Sequence, residues 1–346
     1  MSLSIFSSKT LANSKTLTSS KTLGLALLLA LIVLGGIELY WREGGLKASV
    51  NPSADKALWA FLRTRVNDDP DALAIVGTSR ALYDLHQKTL AKETGDTHVR
   101  QLAIAGSHPL ATLEDLAADP QFKGRIICEL TEQALSTVPW ESQRPYINRR
   151  GEHFTLPERW GSVVRAKIEE HIVLLSPAAT TLNRMKWAAL HQALGVNEWR
   201  IHWTSDRTTA CVPGHLPRKE WFASVTDQEL AAARQDLAVS FESRLSRLKG
   251  IVRRLHDRGV PVIFVRTPVT PDMEALYEKH LPRKDYWDRM VSEIDAPFVR
   301  ADDYPELSMF RPPDGSHLCG EDPQVYTKRL SAIFKSENLL RRTDPT

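Results

Sequence analysis

The amino-acid sequence predicts an α/β domain built on a parallel β-sheet and preceded by one membrane-spanning helix. Three observations predict this. Short apolar runs of strand length alternate with helix-like segments, one long segment repeats its apolar residues at three- and four-residue steps, and residues 23–39 are almost wholly apolar. Continuous apolar strands that alternate with helices are typical of a parallel sheet covered on both faces.

The composition is that of an ordinary globular protein. The chain has 346 residues, 42% of them hydrophobic and 25% charged, with a formal net charge of +3. This length suits one large domain or two small ones. The near-neutral charge and the lack of lysine or arginine runs argue against a nucleic-acid partner. Cys128, Cys211 and Cys319 have neither metal-ligand nor CxxC spacing, and they allow at most one disulfide.

The apolar segment near the N-terminus predicts a membrane anchor over residues 22–41. With Tyr40 and Trp41 it approaches the ~20 residues that cross ~30 Å of hydrocarbon, and both rings suit a membrane interface. Three lysines and no acidic residue precede it, which favours a cytoplasmic N-terminus (Lys9, Lys15 and Lys21). We expect a single-pass protein of the inner (cytoplasmic) membrane with a periplasmic or otherwise extracytoplasmic domain. A cleaved signal peptide is the alternative.

Two segments flank the predicted anchor. Residues 1–21 repeat the motif SKTL at Ser8, Ser14 and Ser20, and their polar composition predicts a disordered cytoplasmic tail. Residues 42–70 are expected to form a juxtamembrane stalk that contains a short helix at 56–66. The sequence Asp68-Asp69-Pro70 ends that helix.

The domain is predicted to span residues 71–340. Its strands are expected at 73–76, 101–105, 125–130 and 261–265, with a weaker fifth strand at 297–300. The clearest helix covers 227–257, because its apolar residues recur at helical spacing. Thr226 and Glu229 form a capping-box pattern at its start, and Gly259 ends it.

Residues 131–226 interrupt this alternation and are read as a helical insertion. They hold six of the nine tryptophans and five of the eleven histidines, and helices are expected at 161–175 and 181–194. The insertion would form a lid or a docking surface; alternatively, its aromatic residues make a satellite core. Its histidines lack HxxxH or HxH spacing, so neither a metal nor a cofactor is expected.

Polar residues and glycines follow the predicted strands, where parallel sheets bind their ligands. They are Ser79 and Arg80 after the first strand, Gly106 after the second, Glu129 at the end of the third, and Arg266 after the fourth. Asp314 and His317 stand three residues apart near the C-terminus.

These residues predict a nucleophilic serine. A serine hydroxyl needs a base within hydrogen-bond reach that is itself oriented by a third group, and His317 and Asp314 supply both. The N–H groups of Ser79, at the start of a helix, and of Gly106 would stabilise an oxyanion. His108 is a second-choice base, and Cys319 is expected to be a small core residue. The alternative for Ser79 is a helix cap after a buried strand.

The motif order resembles that of the SGNH/GDSL hydrolase superfamily. The shared features are Gly-x-Ser after the first strand, a glycine after the second and Asp-x-x-His before the last helix. The resemblance covers residues 72–335 except the middle third, and it implies a flavodoxin-like three-layer α/β sandwich. It further implies that Ser79 is the nucleophile, His317 the base and Asp314 its orienting group, with Gly106 as second oxyanion donor.

One block departs from that superfamily. Its third block carries an asparagine, in Gly-x-Asn-Asp, whose side chain completes the oxyanion hole. Here the third strand ends in IICELTE, with Glu129 at this place. An ionised carboxylate cannot donate a hydrogen bond, so either another donor such as Arg80 or Arg266 substitutes or the activity is slow. The loss of one oxyanion donor costs about 10²–10³ in rate.

The anchor, the insertion and the Gly-x-Ser-Arg form are similar to the membrane-anchored SGNH-like proteins of cell-envelope acylation, of the DltD and AlgJ/AlgX types. That similarity implies an O-acyltransferase or esterase that acts on acyl esters, chiefly acetyl, of an envelope polysaccharide through an acyl-serine intermediate. It also implies a membrane-bound O-acyltransferase or polysaccharide synthase complex as partner. The alternative is a non-catalytic scaffold or glycan-binding subunit of such a complex.

Overall fold

The computed structural model describes residues 20–43, 47–50, 56–136, 142–151, 156–176, 200–212 and 226–340. The predicted tail, apart from its last two residues, and the predicted helix at 181–194 lie outside the described residues. The chain divides into two compact units, residues 1–46 and residues 47–346.

The described residues of the first unit form one long helix, α1, at Ser20–Glu43. Its segment Thr22–Glu43 has a mean hydropathy of 2.3 and is long and apolar enough to cross a membrane. Leucine and alanine favour the helix, and the Arg42 guanidinium pairs with the Glu38 carboxylate one turn earlier at 2.8 Å. The predicted apolar helix is therefore confirmed.

The second unit contains seven described strands. They are β1 Leu73–Val76, β2 Val99–Gln101, β3 Arg125–Glu129, β4 Arg200–Trp203, β5 Thr209–Val212, β6 Val262–Arg266 and β7 Phe298–Arg300. Five form a parallel sheet in the order β2-β1-β3-β6-β7, and β4 and β5 form an antiparallel hairpin. Counted within the sheet alone, this is the 2-1-3-4-5 order of flavodoxin-like sheets.

Helices cover both faces of this sheet. One group comprises α2 Lys56–Arg65, α5 Leu110–Ala118, α8 Asp227–His256, α9 Pro271–His280 and α10 Trp287–Glu293. The opposite face carries α3 Ser79–Asp84, α4 Gln87–Thr94, α11 Pro305–Ser308 and α12 Asp322–Ser336. Helices α6 Arg144–Gly151 and α7 Leu156–Glu169 belong to the insertion.

Strand residues alternate between the two cores as the period of two requires. In β1, Ala74 and Val76 join the core under α2, α5 and α8, while Leu73 and Ile75 join the core under α3, α4 and α12. The predicted α/β class and the parallel sheet are confirmed.

The strand order reverses between β1 and β3. The chain leaves β1 towards β2 on one side and returns through β3 on the other side. Doubly wound sheets bind ligands in the crevice beyond the carboxyl ends of the strands at such a switch point. Ser79 and Glu129 stand at this place.

Two boundaries differ from the sequence prediction. Strand β2 ends at Gln101, and the expected strand residues 102–104 run beside the end of β1, where Ile104 N donates to the Gly77 carbonyl at 3.1 Å. The predicted stalk helix belongs to the domain. Trp59 is fully buried, and its Nε1 donates to the Leu102 carbonyl at 2.9 Å.

The long helix α8 agrees with its prediction. It runs from Asp227 to His256, and Thr226 and Glu229 form a full capping box at its start. Its buried side chains are Leu230, Ala233, Leu237, Phe241, Leu245, Leu248, Ile251, Val252 and Leu255.

The β4–β5 hairpin was not predicted. It is joined to the C-terminal part of the domain by a disulfide between Cys211 and Cys319, whose Cα atoms are 5.0 Å apart. Cys319 is buried, as expected of a small core residue, and its sulfur forms this disulfide. Cys128 is buried as a free thiol.

Candidate active site

The turn after β1 presents Ser79 as the first residue of α3. The helix cap is Thr78, whose side chain accepts a hydrogen bond from the backbone N–H of Arg80 at 3.1 Å. Because Thr78 performs the capping, the hydroxyl of Ser79 is free for another partner. Ser79 is half-buried, and we call residues 77–80 the serine turn.

The Ser79 hydroxyl meets a histidine–aspartate pair from the C-terminal part of the chain. His317 Nε2 lies 2.8 Å from Ser79 Oγ, and His317 Nδ1 lies 2.6 Å from Asp314 Oδ2. The base is thus within hydrogen-bond reach of the nucleophile and is itself oriented by a carboxylate, which is the arrangement that activates a serine.

A tight turn holds Asp314 in place. Its Oδ1 accepts hydrogen bonds from the backbone N–H groups of Ser316 and His317 at 2.9 and 2.8 Å. Gly315 has a φ of +101°, in the left-handed region that favours glycine. The sequence Asp-Gly-Ser-His therefore folds back on itself so that the imidazole reaches the carboxylate.

The electrostatics of the site suit this arrangement. Burial raises the pKa of Asp314, but the hydrogen bond and charge of His317 and the two backbone donors outweigh burial, and the pKa lies below its ordinary value. Asp314 is therefore ionised at neutral pH and can stabilise a protonated His317.

Tyr83 packs edge-on against the His317 ring, with 4.9 Å between the ring centroids. Burial and the negative charge of Asp314 raise the pKa of its hydroxyl to about 12, so Tyr83 stays neutral. Tyr83 was missed in the sequence analysis. The signal was its position four residues after Ser79, because residues four apart share a helix face.

Glu129 lies behind the serine turn. It is fully buried, and its Oε2 accepts hydrogen bonds from Thr78 N at 2.9 Å and from Thr78 Oγ1 at 2.7 Å. A Cβ at Gly77 would lie 2.9 Å from the Glu129 Cβ, so only glycine allows this close approach. Glu129 stands at a strand end, where a ligand contact is expected, but its Oε2 contacts the N–H and the hydroxyl of Thr78, the residue before Ser79.

Arg80 points inward and is 4% exposed. Its Nη2 donates to the Tyr277 hydroxyl at 3.0 Å, and its guanidinium lies 5.4 Å from the centroid of that ring. Burial lowers the pKa of Arg80, but the charges of Tyr277 and Glu129 raise it above its ordinary value. The guanidinium considered as a substitute oxyanion donor thus contacts Tyr277 and interacts with the charge of Glu129.

Arg266 is also turned away from the role expected for it. It is fully buried, and its guanidinium pairs with Glu132 at 2.9 Å, with Glu274 at 2.7 Å and with Asp302 at 3.4 Å. Arg300 binds the same three carboxylates. We call these five residues the arginine cluster. Because carboxylates engage all three nitrogens of Arg266, its expected contact with an oxyanion or substrate is corrected to a structural role.

Gly106 lies on the exposed loop that follows β2. Its φ is +67°, and nothing lies within 4 Å of the place where a Cβ would stand. The hydrogen bond from Ile104 to Gly77 holds this loop beside the serine turn. Its role as the second oxyanion donor stays a prediction.

His108 does not meet the requirements of a base. It is 9% exposed, and burial together with the positive charge of Arg80 lowers its pKa to about 3. A group with so low a pKa is a poor proton acceptor at neutral pH. Its neighbour Ser107 donates to the Ile104 carbonyl at 2.6 Å, a local contact.

Two supports of the site escaped the sequence analysis. Gln143 is fully buried, and its amide donates to Ser107 Oγ at 3.0 Å and accepts from Thr112 N at 3.1 Å. The β4–β5 hairpin carries Trp203, whose ring lies 6.0 Å from that of Tyr83. Neither has a local sequence signal, because each acts through residues distant along the chain.

No protein-family model, curated protein or solved structure matches this chain.

Proposed function

We propose that this protein is a serine O-acyltransferase or esterase of SGNH type. The observation that carries the proposal is the 2.8 Å contact between Ser79 Oγ and His317 Nε2, with Asp314 2.6 Å behind the imidazole. The position of Ser79 at the switch point of a parallel sheet supports it, because this is where such sheets bind ligands.

The mechanism uses one acyl-enzyme. Ser79 Oγ attacks the carbonyl carbon of an acyl ester while His317 Nε2 takes the hydroxyl proton, and Asp314 stabilises the imidazolium. The N–H groups of Ser79 and Gly106 stabilise the oxyanion. His317 then donates the proton to the departing alkoxide, which leaves an acyl group on Ser79. A sugar hydroxyl (transferase) or water (esterase) takes the acyl group in the second half of the reaction.

The proposed location is extracytoplasmic. The apolar segment Thr22–Glu43 of α1 follows three lysines and no acidic residue, which favours a cytoplasmic N-terminus and a domain on the far side of the membrane. The disulfide between Cys211 and Cys319 supports this location, because disulfides persist in oxidising compartments such as the periplasm.

The proposed substrate is an acyl ester, chiefly acetyl, of an envelope polysaccharide. The support is the resemblance of the Ser79, Asp314 and His317 motifs, together with the anchor, to membrane-anchored SGNH-like proteins of cell-envelope acylation. A membrane-bound O-acyltransferase or a polysaccharide synthase complex is the proposed partner.

The test is covalent labelling of the full-length protein with a fluorophosphonate, which reacts with activated serines. We expect wild type to be labelled at Ser79 and Ser79→Ala to be unlabelled, and we expect the same substitution to abolish acylation of the glycan in cells. An unlabelled wild type, or undiminished glycan acylation in Ser79→Ala, would contradict the proposal.

A second candidate function is a non-catalytic scaffold. A specific observation favours it: the insertion exposes a row of apolar side chains at helical spacing. Their exposed fractions range from 37% to 58% (Trp160, Val164, Ile168, Ile172 and Leu175). Exposed apolar patches mark interaction sites.

The scaffold can be tested by co-purification with a multi-span membrane partner. We expect Val164→Asp to reduce capture of such a partner, and the matched control Val239→Asp, at a valine 89% exposed on α8, to leave it unchanged. Loss of capture together with normal fluorophosphonate labelling would assign docking to the insertion and catalysis to Ser79.

A further inference from the structure

Glu129 joins the end of β3 to the serine turn. Strands β1 and β3 pair in parallel, with Val76 opposite Cys128, so both chains arrive side by side at the same edge of the sheet. The Glu129 carboxyl then accepts two hydrogen bonds from Thr78, one from its N–H and one from its hydroxyl. Hydrogen bonds are strong in such a buried place because the local dielectric constant is low.

These contacts hold the backbone on both sides of Ser79. Before Ser79, the N–H of Thr78 is bound directly by Glu129. After Ser79, the N–H of Arg80 is bound by Thr78 Oγ1, whose own proton is directed at Glu129. One carboxyl group therefore determines the orientation of the whole turn through Thr78.

Close packing adds to this restraint. A Cβ at Gly77 would stand 2.4 Å from the Ala81 Cβ and 2.9 Å from the Glu129 Cβ, distances that real Cβ atoms do not adopt. The turn is thus pressed against the strand end and against the first helical turn. Only glycine at position 77 lets Glu129 reach Thr78 in this way.

We propose that Glu129 is a positioning residue that fixes the serine turn so that Ser79 Oγ stays within hydrogen-bond distance of His317 Nε2. This inference rests on the proposed function. It assigns to Glu129 a task different from that of an oxyanion donor, because its hydrogen bonds run to the turn behind the nucleophile.

The experiment compares variants of the full-length protein in detergent. The readouts are kcat and KM for hydrolysis of p-nitrophenyl acetate and the rate of fluorophosphonate labelling. We expect Glu129→Ala to lower kcat and the labelling rate by about 10²-fold, the effect of misplacing a reacting group by about 1 Å, with KM little changed. We expect Glu129→Gln to restore most of both rates, because its amide oxygen can accept both hydrogen bonds.

The matched control is Glu132→Gln. Glu132 is the next buried carboxyl after β3, but it belongs to the arginine cluster. We expect this variant to melt at a lower temperature while the folded protein keeps its kcat and labelling rate. If Glu129→Ala lowers only the melting temperature, as the control does, or if Glu129→Gln fails to restore the rates, the inference is overturned.

Two further measurements separate the remaining outcomes. If Glu129→Ala does not fold, Thr78→Val, which removes the hydroxyl with little change of shape, is expected to show the same loss of kcat, and an unchanged kcat overturns the inference.

If wild type itself is inert, the proposed function fails. A crystal structure of Glu129→Ala or Thr78→Val then decides: displacement of Ser79 Oγ from His317 Nε2 supports the inference, and an unchanged 2.8 Å contact overturns it.

Discussion

Two regions at the carboxyl edge of the same sheet carry buried polar groups, but these groups have different kinds of partner. Around the serine turn, the hydroxyl of half-buried Ser79 faces His317, so a reactive pair lies at the switch point of the sheet. In the arginine cluster, two guanidinium groups are held in ion pairs with three carboxylates.

The difference shows that a charged residue at the end of a strand does not by itself mark a functional site. Arg266 is the last residue of β6 and Ser79 follows β1, yet the nitrogens of Arg266 are engaged by carboxylates from three other segments of the chain. A buried ion-pair group of this kind is costly to break, whereas a catalytic group must keep a partner available for the reaction.

The largest expected effect concerns the catalytic region around the serine turn. We expect Asp314→Asn to lower kcat by about 10⁴-fold, because the imidazole loses its orienting carboxylate and adopts the wrong tautomer. The measurement is kcat for ester hydrolysis beside the melting temperature. A decrease of less than about tenfold in a folded variant would contradict the role of Asp314, since a full triad loses far more.

The next effect concerns the stability contributed by the arginine cluster. We expect Arg266→Leu to lower the free energy of unfolding by about 3–5 kcal/mol, because it removes one of the two cations that pair with the buried Glu132 carboxylate. Chemical denaturation measures this loss, and the kcat of the folded fraction is expected to stay at the wild-type value. A variant of normal stability with a reduced kcat would instead return Arg266 to substrate binding.

The sequence predicted the parts of the fold that depend on local pattern. Strands β1, β3 and β6 and helix α8 lie within one residue of their expected ends, because apolar runs and a capping box are local signals. Strand β2 was predicted to begin two residues too late and to end four residues too late. The apolar residues 102–104 follow the strand and pair with the end of β1, which hydrophobicity alone does not distinguish from a strand.

The hairpin β4–β5 depended on distant partners and was missed. Its supports are the Cys211–Cys319 disulfide and a hydrogen bond from Arg207 Nη2 to the Ala103 carbonyl at 2.5 Å. Both join residues more than 100 positions apart. Such a short strand has no hydrophobic periodicity from which it could be predicted.

The candidate site likewise contains residues that the sequence identified and residues whose roles it did not reveal. Ser79, Asp314 and His317 could be selected from the sequence because their order and their place after strands are visible in it. The tasks of Glu129 and Arg266 could not, because the partners of a buried charge are known only after distant segments meet. Glu129 meets Thr78 across 51 residues, and Arg266 meets Glu132 across 134.

A smaller effect concerns the disulfide that links the hairpin to the loop of His317. Cys319 stands two residues after His317, and Gly320 N donates to the Cys211 carbonyl at 3.0 Å. We expect the double variant Cys211→Ser, Cys319→Ser to lose about 2–4 kcal/mol of unfolding free energy, because a closed loop of 108 residues no longer restrains the unfolded chain. Cys128→Ala is the control, and reductant should still destabilise it. Equal stability of the double variant and wild type would contradict the link.

The smallest effect concerns stability in acid, to which one carboxyl from each region contributes: Asp314 and Glu132. The hydrogen bond and charge of His317 outweigh burial and hold the pKa of Asp314 below its ordinary value. The charges of Arg266 and Arg300 do the same for the pKa of Glu132. The folded protein therefore keeps both carboxyls ionised at a lower pH than the unfolded chain does. Each contributes stability that is present above its ordinary pKa, 3.8 for Asp314 and 4.5 for Glu132, and is lost as pH falls further.

The two contributions can be separated by denaturation between pH 7 and pH 3. Replacing either carboxyl by its amide removes that group's titration, so Glu132→Gln and Asp314→Asn should each flatten the decline of stability in acid. The decline should begin at a higher pH for the Glu132 contribution, because its ordinary pKa is the higher of the two. A decline in Glu132→Gln as steep as that of wild type would show that the arginine cluster does not hold this carboxyl ionised in the folded protein.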